Sequence, residues 1–152
     1  MSSTYTQIYI QVVFAVKGRH SLIHSDWEET LYRYITGIVK AKEQKLLAIN
    51  GMPDHVHLFI GMKANCNLSE LVREVKKASN GFIREQGFCR RFSWQEGFGA
   101  FSYGQSQVND VIKYINNQKA HHRQTSFHTE YLELLKRFEI EYQKDRLFEW
   151  IE

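Results

Sequence analysis

Cysteine, proline and long apolar runs are all scarce in this chain. The two cysteines, Cys66 and Cys89, are too few and too loosely spaced for a disulfide framework or a thiolate zinc site. They leave the expectation of a reducing, cytoplasmic compartment with both thiols as packing residues. The single proline and nine glycines are scattered too thinly to build a linker, and no repeat or low-complexity segment interrupts the pattern. Residues 1–152 are therefore expected to form one domain, with a core over about 5–142 and a tail at 143–152. No apolar run approaches the roughly 20 residues needed to span a bilayer. Met1 to Tyr5 lacks a basic region followed by an apolar one, so no secretory signal is expected. There is no glycine-rich phosphate loop, which argues against a nucleotide cofactor.

What remains is ordinary for a globular protein: 152 residues, 43% hydrophobic and 24% charged, enough for a sizeable core. The net charge of +3 permits a polyanionic partner without demanding one. Aromatic residues at 14% should serve mostly as core, with some capacity for base stacking.

Residues 5–16 are rich in β-branched and aromatic types and read as a first strand. Lys17-Gly18-Arg19 turns the chain. Ser25 with Glu28 forms a capping-box pattern ahead of Trp27, Leu31, Tyr34, Ile35 and Ile38 at helical spacing, which predicts a helix over about 26–43. Lys45 to Ile49 reads as a second strand and Asn50-Gly51 as a turn. The third strand, 55–62, follows Met52-Pro53-Asp54. Asn67 to Glu70 opens a second helix whose apolar stripe is Leu68, Leu71, Val72, Val75, Ser79, Phe82 and Ile83. Phe92 to Trp94 and Phe98 to Tyr103 read as strand segments, with Gly97 and Gly99 marking a bend or a close backbone approach. Ser106 is expected to cap a third helix running through His122, with Val108, Val111, Ile112 and Ile115 inward. Ser126 is expected to cap a fourth, with Leu132, Leu135 and Phe138 inward. The order β-α-β-β-α-β plus trailing helices predicts an α+β, ferredoxin-like split βαβ fold. It has one antiparallel sheet, helices on one face and extra C-terminal helices. That topology puts the first and third strands at the centre.

The third strand carries the chemistry. Val56, Leu58 and Ile60 alternate with His55, His57 and Phe59, so the two imidazoles share one face. Two imidazoles side by side are half of a metal site, though each alone is equally a core hydrogen-bonding group or a surface residue. Asp54 is either an orienting partner for an imidazole or, the preferred reading, a turn residue after Pro53. On the third helix, Tyr114, Gln118 and His121 share the shoulder of the apolar stripe, where polar groups can rest against a sheet. Spacing alone makes none of them catalytic.

Three blocks taken together resemble a known family. Met52-Pro53-Asp54-His55-Val56-His57, the run Phe92 to Ser102, and Tyr114-Ile115-x-x-Gln118 are similar to the single-tyrosine HUH transposases. These are the short transposases of bacterial insertion sequences of the class numbered two hundred. The resemblance runs from the first strand to about residue 142, and Gln118-x-x-His121-His122-Arg123 extends it.

It implies that His55 and His57 are metal ligands, Gln118 the third protein ligand and Tyr114 the nucleophile. It implies an obligate homodimer, in which the tyrosine helix of one subunit can complete the histidine pair of the other. The implied activity is cutting and rejoining single-stranded DNA beside hairpins at the element's ends, through a 5′-phosphotyrosine that conserves bond energy.

A tyrosine with an ordinary pKa near 10 needs help at neutral pH, which a divalent ion beside the scissile phosphate would supply. Mn²⁺ suits imidazole and Mg²⁺ is compatible. The ligand set His55, His57 and Gln118 contains no carboxylate, so its charge stays +2 until a phosphate arrives. For DNA contact, the resemblance places a lysine at Lys76. Arg73, Lys77 and Arg84 crowd the same helix, and Lys17 and Arg19 follow the first strand. His121 and His122 are DNA contacts, proton carriers or, the preferred reading, ordinary helix-end residues, favoured at a negative dipole end. The alternatives are a non-catalytic single-strand binding module, a hydrolase using water, and a domesticated member that processes chromosomal palindromic repeats.

Overall fold

The computed structural model describes residues 3–147, apart from the side chains of Arg19 and Asp145. The last five residues of the expected tail lie outside the described residues. An open antiparallel sheet of β1 (Ile8–Ala15), β2 (Lys45–Met52), β3 (His55–Met62) and β4 (Gly99–Tyr103) runs in the order β2-β3-β1-β4. The first and third strands are central, as the split βαβ topology predicts. Their register places Ala15 opposite His55 and Val13 opposite His57.

Helices α1 (Ser25–Ala41) and α2 (Leu68–Glu85) cover one face. Val12, Phe14, Val56, Leu58 and Ile60 point into this layer and meet Leu31, Ile35, Val39, Leu71, Val72, Val75 and Ile83. Each such side chain, fully buried, contributes about 1.5–3 kcal/mol. Helices α3 (Val108–Asn116), α4 (Gln118–His121) and α5 (Phe127–Arg137) cover the other face. There the apolar packing splits into two groups: Phe59 with Val111 and Ile115, and Val13, Ala15 and Phe101 with Phe127, Tyr131, Leu134 and Leu135. The histidines lie between the two.

Several local expectations are corrected. Asn50-Gly51 is not a turn: both residues are in β2, paired with His57 and Val56, and the turn falls at Pro53-Asp54. A Cβ on Gly51 would come 2.2 Å from the His55 carbonyl oxygen, so the glycine permits a close backbone approach. β2 also absorbs a bulge between Leu46 and Ala48. α1 is capped by His24, not Ser25: its Nδ1 accepts from the Asp26 amide at 3.1 Å. Glu28 instead accepts from the Tyr32 hydroxyl at 2.6 Å and from Lys119.

Ser106 does not cap α3. It sits in a single 3₁₀ turn in which Gln107 Oε1 accepts from the Gly104 amide at 3.0 Å. The third helix is broken at Asn117, next to Asn116, whose carbonyl accepts from Asn50 Nδ2 at 3.1 Å. Phe92 to Trp94 is not a strand, only a bridge from Trp94 to Val16. Asn67 and Ser126 cap α2 and α5 as expected.

Candidate active site and metal centre

β3 delivers both imidazoles to the α3–α5 face because side chains alternate along a strand. His55 and His57 are 0% exposed, as are Gln118 and, across the cluster, nearly so Glu130 at 2%. Their ring orientation is fixed by the far nitrogens. His55 Nδ1 lies 2.8 Å from Asp54 Oδ1, and His57 Nδ1 lies 2.8 Å from Gln11 Oε1. Gln11 donates its own Nε2 to the Tyr103 hydroxyl at 2.9 Å, so its oxygen is the atom turned to His57. Each Nδ1 is therefore placed to donate, and each Nε2 turns to the interior, where it donates when protonated and offers a lone pair when neutral.

Those Nε2 atoms meet a carboxylate. Glu130 Oε1 lies 3.0 Å from His57 Nε2, 3.6 Å from His55 Nε2 and 3.0 Å from His122 Nε2. Nitrogen and oxygen lone pairs cannot face one another in a dry pocket without positive charge among them, supplied by a proton or a metal ion. Donor atoms of His55, His57, His122 and Glu130 all lie within 4.8 Å of one another, which fits one divalent cation. Gln118 Oε1, 3.4 Å from His55 Nε2, borders the same space, and Gln118 Nε2 donates to Glu130 Oε2 at 3.0 Å.

The electrostatics point the same way. Burial acts to raise the Glu130 pKa, but the surrounding imidazoles overcome it and hold the carboxyl far below the usual range. Burial pushes His55 down, yet the Asp54 and Glu130 hydrogen bonds outweigh it and the net shift is upward. His57 goes the other way: burial dominates the attraction of Glu130 and its pKa falls.

Tyr114 joins the same group. Its hydroxyl donates to Glu130 Oε2, and its ring sits edge-on to His57 with centroids 5.9 Å apart. Burial first, then the Glu130 charge and hydrogen bond, raise the phenol pKa well above its ordinary value. Within one chain, then, the tyrosine–glutamine helix meets its own histidines. His121 is packed edge-on to Tyr114, with Nε2 3.4 Å from Glu130 Oε2.

The expected set of His55, His57 and Gln118 contains no carboxylate, whereas the structure places the Glu130 carboxylate among these same side chains. Asp54 is in the turn and also bonds His55 Nδ1, so it fills both of the roles its sequence position allows. Glu130 was missed outright. It falls on the buried stripe of α5 with Phe127, Tyr131 and Leu134, three and four residues apart. A carboxylate inside an apolar stripe was the available signal. Gln11, a polar residue amid the apolar β1, was another.

The basic residues divide. Lys76 Nζ donates to the Gln95 and Gly97 carbonyls at 2.8 and 2.6 Å, and Arg84 Nε donates to the Phe92 carbonyl at 2.9 Å. Burial, partly countered by Glu96, brings the Lys76 pKa down to about 8. Arg73, Lys77 and Lys17 are exposed. His122 is drawn into the cluster by Glu130.

An imidazole pair on a central strand, a buried carboxylate and a phenol from a facing helix stand in one cluster, whose imidazole and carboxylate donors could hold a metal ion. The chain belongs to the family described as Transposase IS200 like, whose model matches residues 4–118. Among solved structures, a candidate transposase from Deinococcus radiodurans R1 is similar, at 20% identity. The alignment covers 78% of this chain and 95% of that one, with a TM-score of 0.62. A REP-associated tyrosine transposase bound to a REP hairpin is similar at 16% identity, covering 80% of this chain and 73% of that one, with a TM-score of 0.60. Comparison with curated proteins gives no match. No helix among the described residues is long and apolar enough to cross a membrane.

Proposed function

We propose that this transposase cuts and rejoins single-stranded DNA beside hairpins at the ends of an insertion sequence, through a 5′-phosphotyrosine on Tyr114. The observation that carries the reading is the convergence of the ring nitrogens of His55, His57 and His122, Glu130 Oε1 and the Tyr114 hydroxyl in one cluster. His55, His57, His122 and Glu130 would hold a divalent ion, Mn²⁺ or Mg²⁺, with Gln118 Oε1 beside it. Three imidazoles favour Mn²⁺ over Mg²⁺. When bound, the ion would polarise the scissile phosphate and stabilise the leaving oxygen.

The protein groups do the rest. Tyr114 donates to Glu130, which holds the phenol oxygen in one orientation and gives its proton an acceptor. The phenol oxygen attacks phosphorus, the bond to the 3′ oxygen breaks, and that oxygen leaves as a hydroxyl after taking a proton. Gln118 Nε2 donates to the same Glu130 oxygen that accepts from Tyr114, which fixes that oxygen beside the phenol. Joining reverses the step, so no ATP is required. Arg73, Lys77, Lys17 and Arg19 are the proposed phosphate contacts, while Lys76 and Arg84 position the 92–97 segment by their carbonyl bonds. The chain is proposed to work as a homodimer in the cytoplasm.

The test is incubation with labelled single-stranded, hairpin-flanked element ends plus Mn²⁺. A denaturing gel should show a protein–DNA adduct that Tyr114→Phe lacks. Binding without any adduct would favour the non-catalytic single-strand module instead.

A further inference from the structure

Tyr114 and Gln118 stand on either side of a helix break, Tyr114 in the last turn of α3 and Gln118 at the start of α4. Where the two side chains fall at the metal centre therefore depends on what holds the break. A second set of polar contacts, away from the metal centre, holds it.

β2 supplies the first contact. Asn50 pairs with His57 in the sheet, so its side chain stands on the α3–α5 face. Its Nδ2 donates to the Asn116 carbonyl at 3.1 Å. Asn116 is the last residue of α3, where a helix leaves carbonyls without an intrahelical partner. Asn50 Oδ1 accepts from the Gly51 amide at 2.9 Å, which fixes the orientation of the side-chain amide.

α1 supplies the second. Lys119 of α4 reaches past the end of β2, and its Nζ donates to the Gly51 carbonyl and to Glu28 Oε1 of α1. Asn50 Oδ1 lies 3.4 Å from the same ammonium. Glu28 is itself held, because the Tyr32 hydroxyl donates to Oε1 at 2.6 Å. α1 packs on the opposite face of the sheet from the metal centre, so one lysine joins the two helical layers. The lysine side chain is 46% exposed, and an ion pair with that much water around it adds little to stability. What directed contacts at a helix break supply is position.

We propose that Lys119, Glu28 and Asn50 are positioning residues for the nucleophile: they clamp the α3–α4 break to β2 and α1, so that Tyr114 and Gln118 meet the metal centre together. This rests on the proposed attack by Tyr114. A misplacement of about 1 Å at a reacting group can cost about a hundredfold in rate. A clamp that adds little to stability can therefore govern much of the rate.

Single-turnover adduct formation with the labelled element ends, at saturating DNA and Mn²⁺, tests it. Lys119→Met, Glu28→Gln and Asn50→Leu should each slow the step by about tenfold, part of the cost of such a misplacement. Affinity for DNA, affinity for Mn²⁺ and Tm should all stay near wild type, so the loss falls on the rate alone. Lys119→Arg keeps the charge and should recover most of the rate. Lys119→Met combined with Glu28→Gln should be little slower than either alone, because the two act through one contact.

The rival reading makes Lys119 a phosphate contact. Lys119→Met would then weaken DNA binding and flatten its salt dependence, while Glu28→Gln, which removes a negative charge, would leave the rate intact. That pattern overturns the clamp, and so does an unchanged rate in all three single variants. A wild-type chain that binds DNA and Mn²⁺ but forms no adduct overturns the proposed function, and the clamp with it.

Discussion

β1 and β3 present two faces that could hardly differ more. Toward α1 and α2 they show Val12, Phe14, Val56, Leu58 and Ile60, a dry apolar layer. Toward α3, α4 and α5 the alternate residues include Gln11, His55 and His57, which join Gln118, Tyr114 and Glu130 in one polar network. The strand period separates the two tasks at single-residue resolution. One face supplies stability. The other holds groups whose burial costs free energy that the first must offset, as is common where polar networks are kept for chemistry.

The largest expected effect removes the chemistry and leaves both faces standing. Tyr114→Phe keeps the ring against His57 but lacks the hydroxyl. Adduct formation should drop by on the order of a thousandfold or more. DNA affinity and melting temperature should stay near wild type. A variant that still forms adduct would show that another nucleophile is at work.

A pair of substitutions then sets the faces against each other. Leu58→Ala empties fully buried volume and should cost about 3 kcal/mol, on the order of 10 °C in Tm. The rise in Tm on adding Mn²⁺ should survive it. Glu130→Gln should do the reverse, changing the metal-free Tm less while abolishing most of the Mn²⁺-induced rise. Equal behaviour of the two variants in both measurements would erase the division of labour.

Acidity should sharpen the contrast further. Metal ligation needs neutral imidazoles, so protons and metal compete. His55, with its pKa raised by Asp54 and Glu130 against the effect of burial, takes up a proton before an ordinary histidine would, whereas buried His57 resists. Mn²⁺ affinity should therefore rise with pH. Below the raised His55 pKa it should fall by about tenfold per pH unit, the slope of one proton. Calorimetric Mn²⁺ titrations at pH 6, 7 and 8 would read this directly, and a flat profile would remove His55 from the ligand set.

The sheet order and the histidine strand were legible because period-two alternation is a local signal that tertiary packing reinforced. Tyr114 and Gln118 were legible as residues of one helix shoulder, and the resemblance supplied their roles. The turn at Asn50-Gly51 misled because the two-residue loop signal is local, whereas β2 pairs on to Met52 and the close approach at Gly51 uses the missing Cβ differently. The break at Asn117 was invisible: it adjoins Asn116, which Asn50 contacts across 66 positions of chain. Glu130 was hidden for a related reason. A carboxylate on an apolar stripe contradicts the amphipathic pattern, and only the convergence of three imidazoles from two other elements makes its burial reasonable.

Asp54 gives the smallest of these effects and the finest test. In sequence it looks like a turn residue after Pro53, and in the structure it is in that turn while also accepting from His55 Nδ1. The two roles respond differently to Asp54→Asn. The amide oxygen preserves turn hydrogen bonding, so a turn-only role predicts unchanged stability and unchanged metal affinity. Loss of the negative charge removes the group that makes His55 more basic and fixes its tautomer. An orienting role therefore predicts a roughly tenfold weaker Mn²⁺ affinity, at the low end for a residue that orients a ligand from behind. It also predicts a lower His55 pKa, visible as a shift of the affinity–pH curve toward acid. A curve that keeps both its height and its position would assign Asp54 to the turn alone, and His55 would then owe its orientation to stacking on Phe127, whose ring lies 3.8 Å away and nearly parallel.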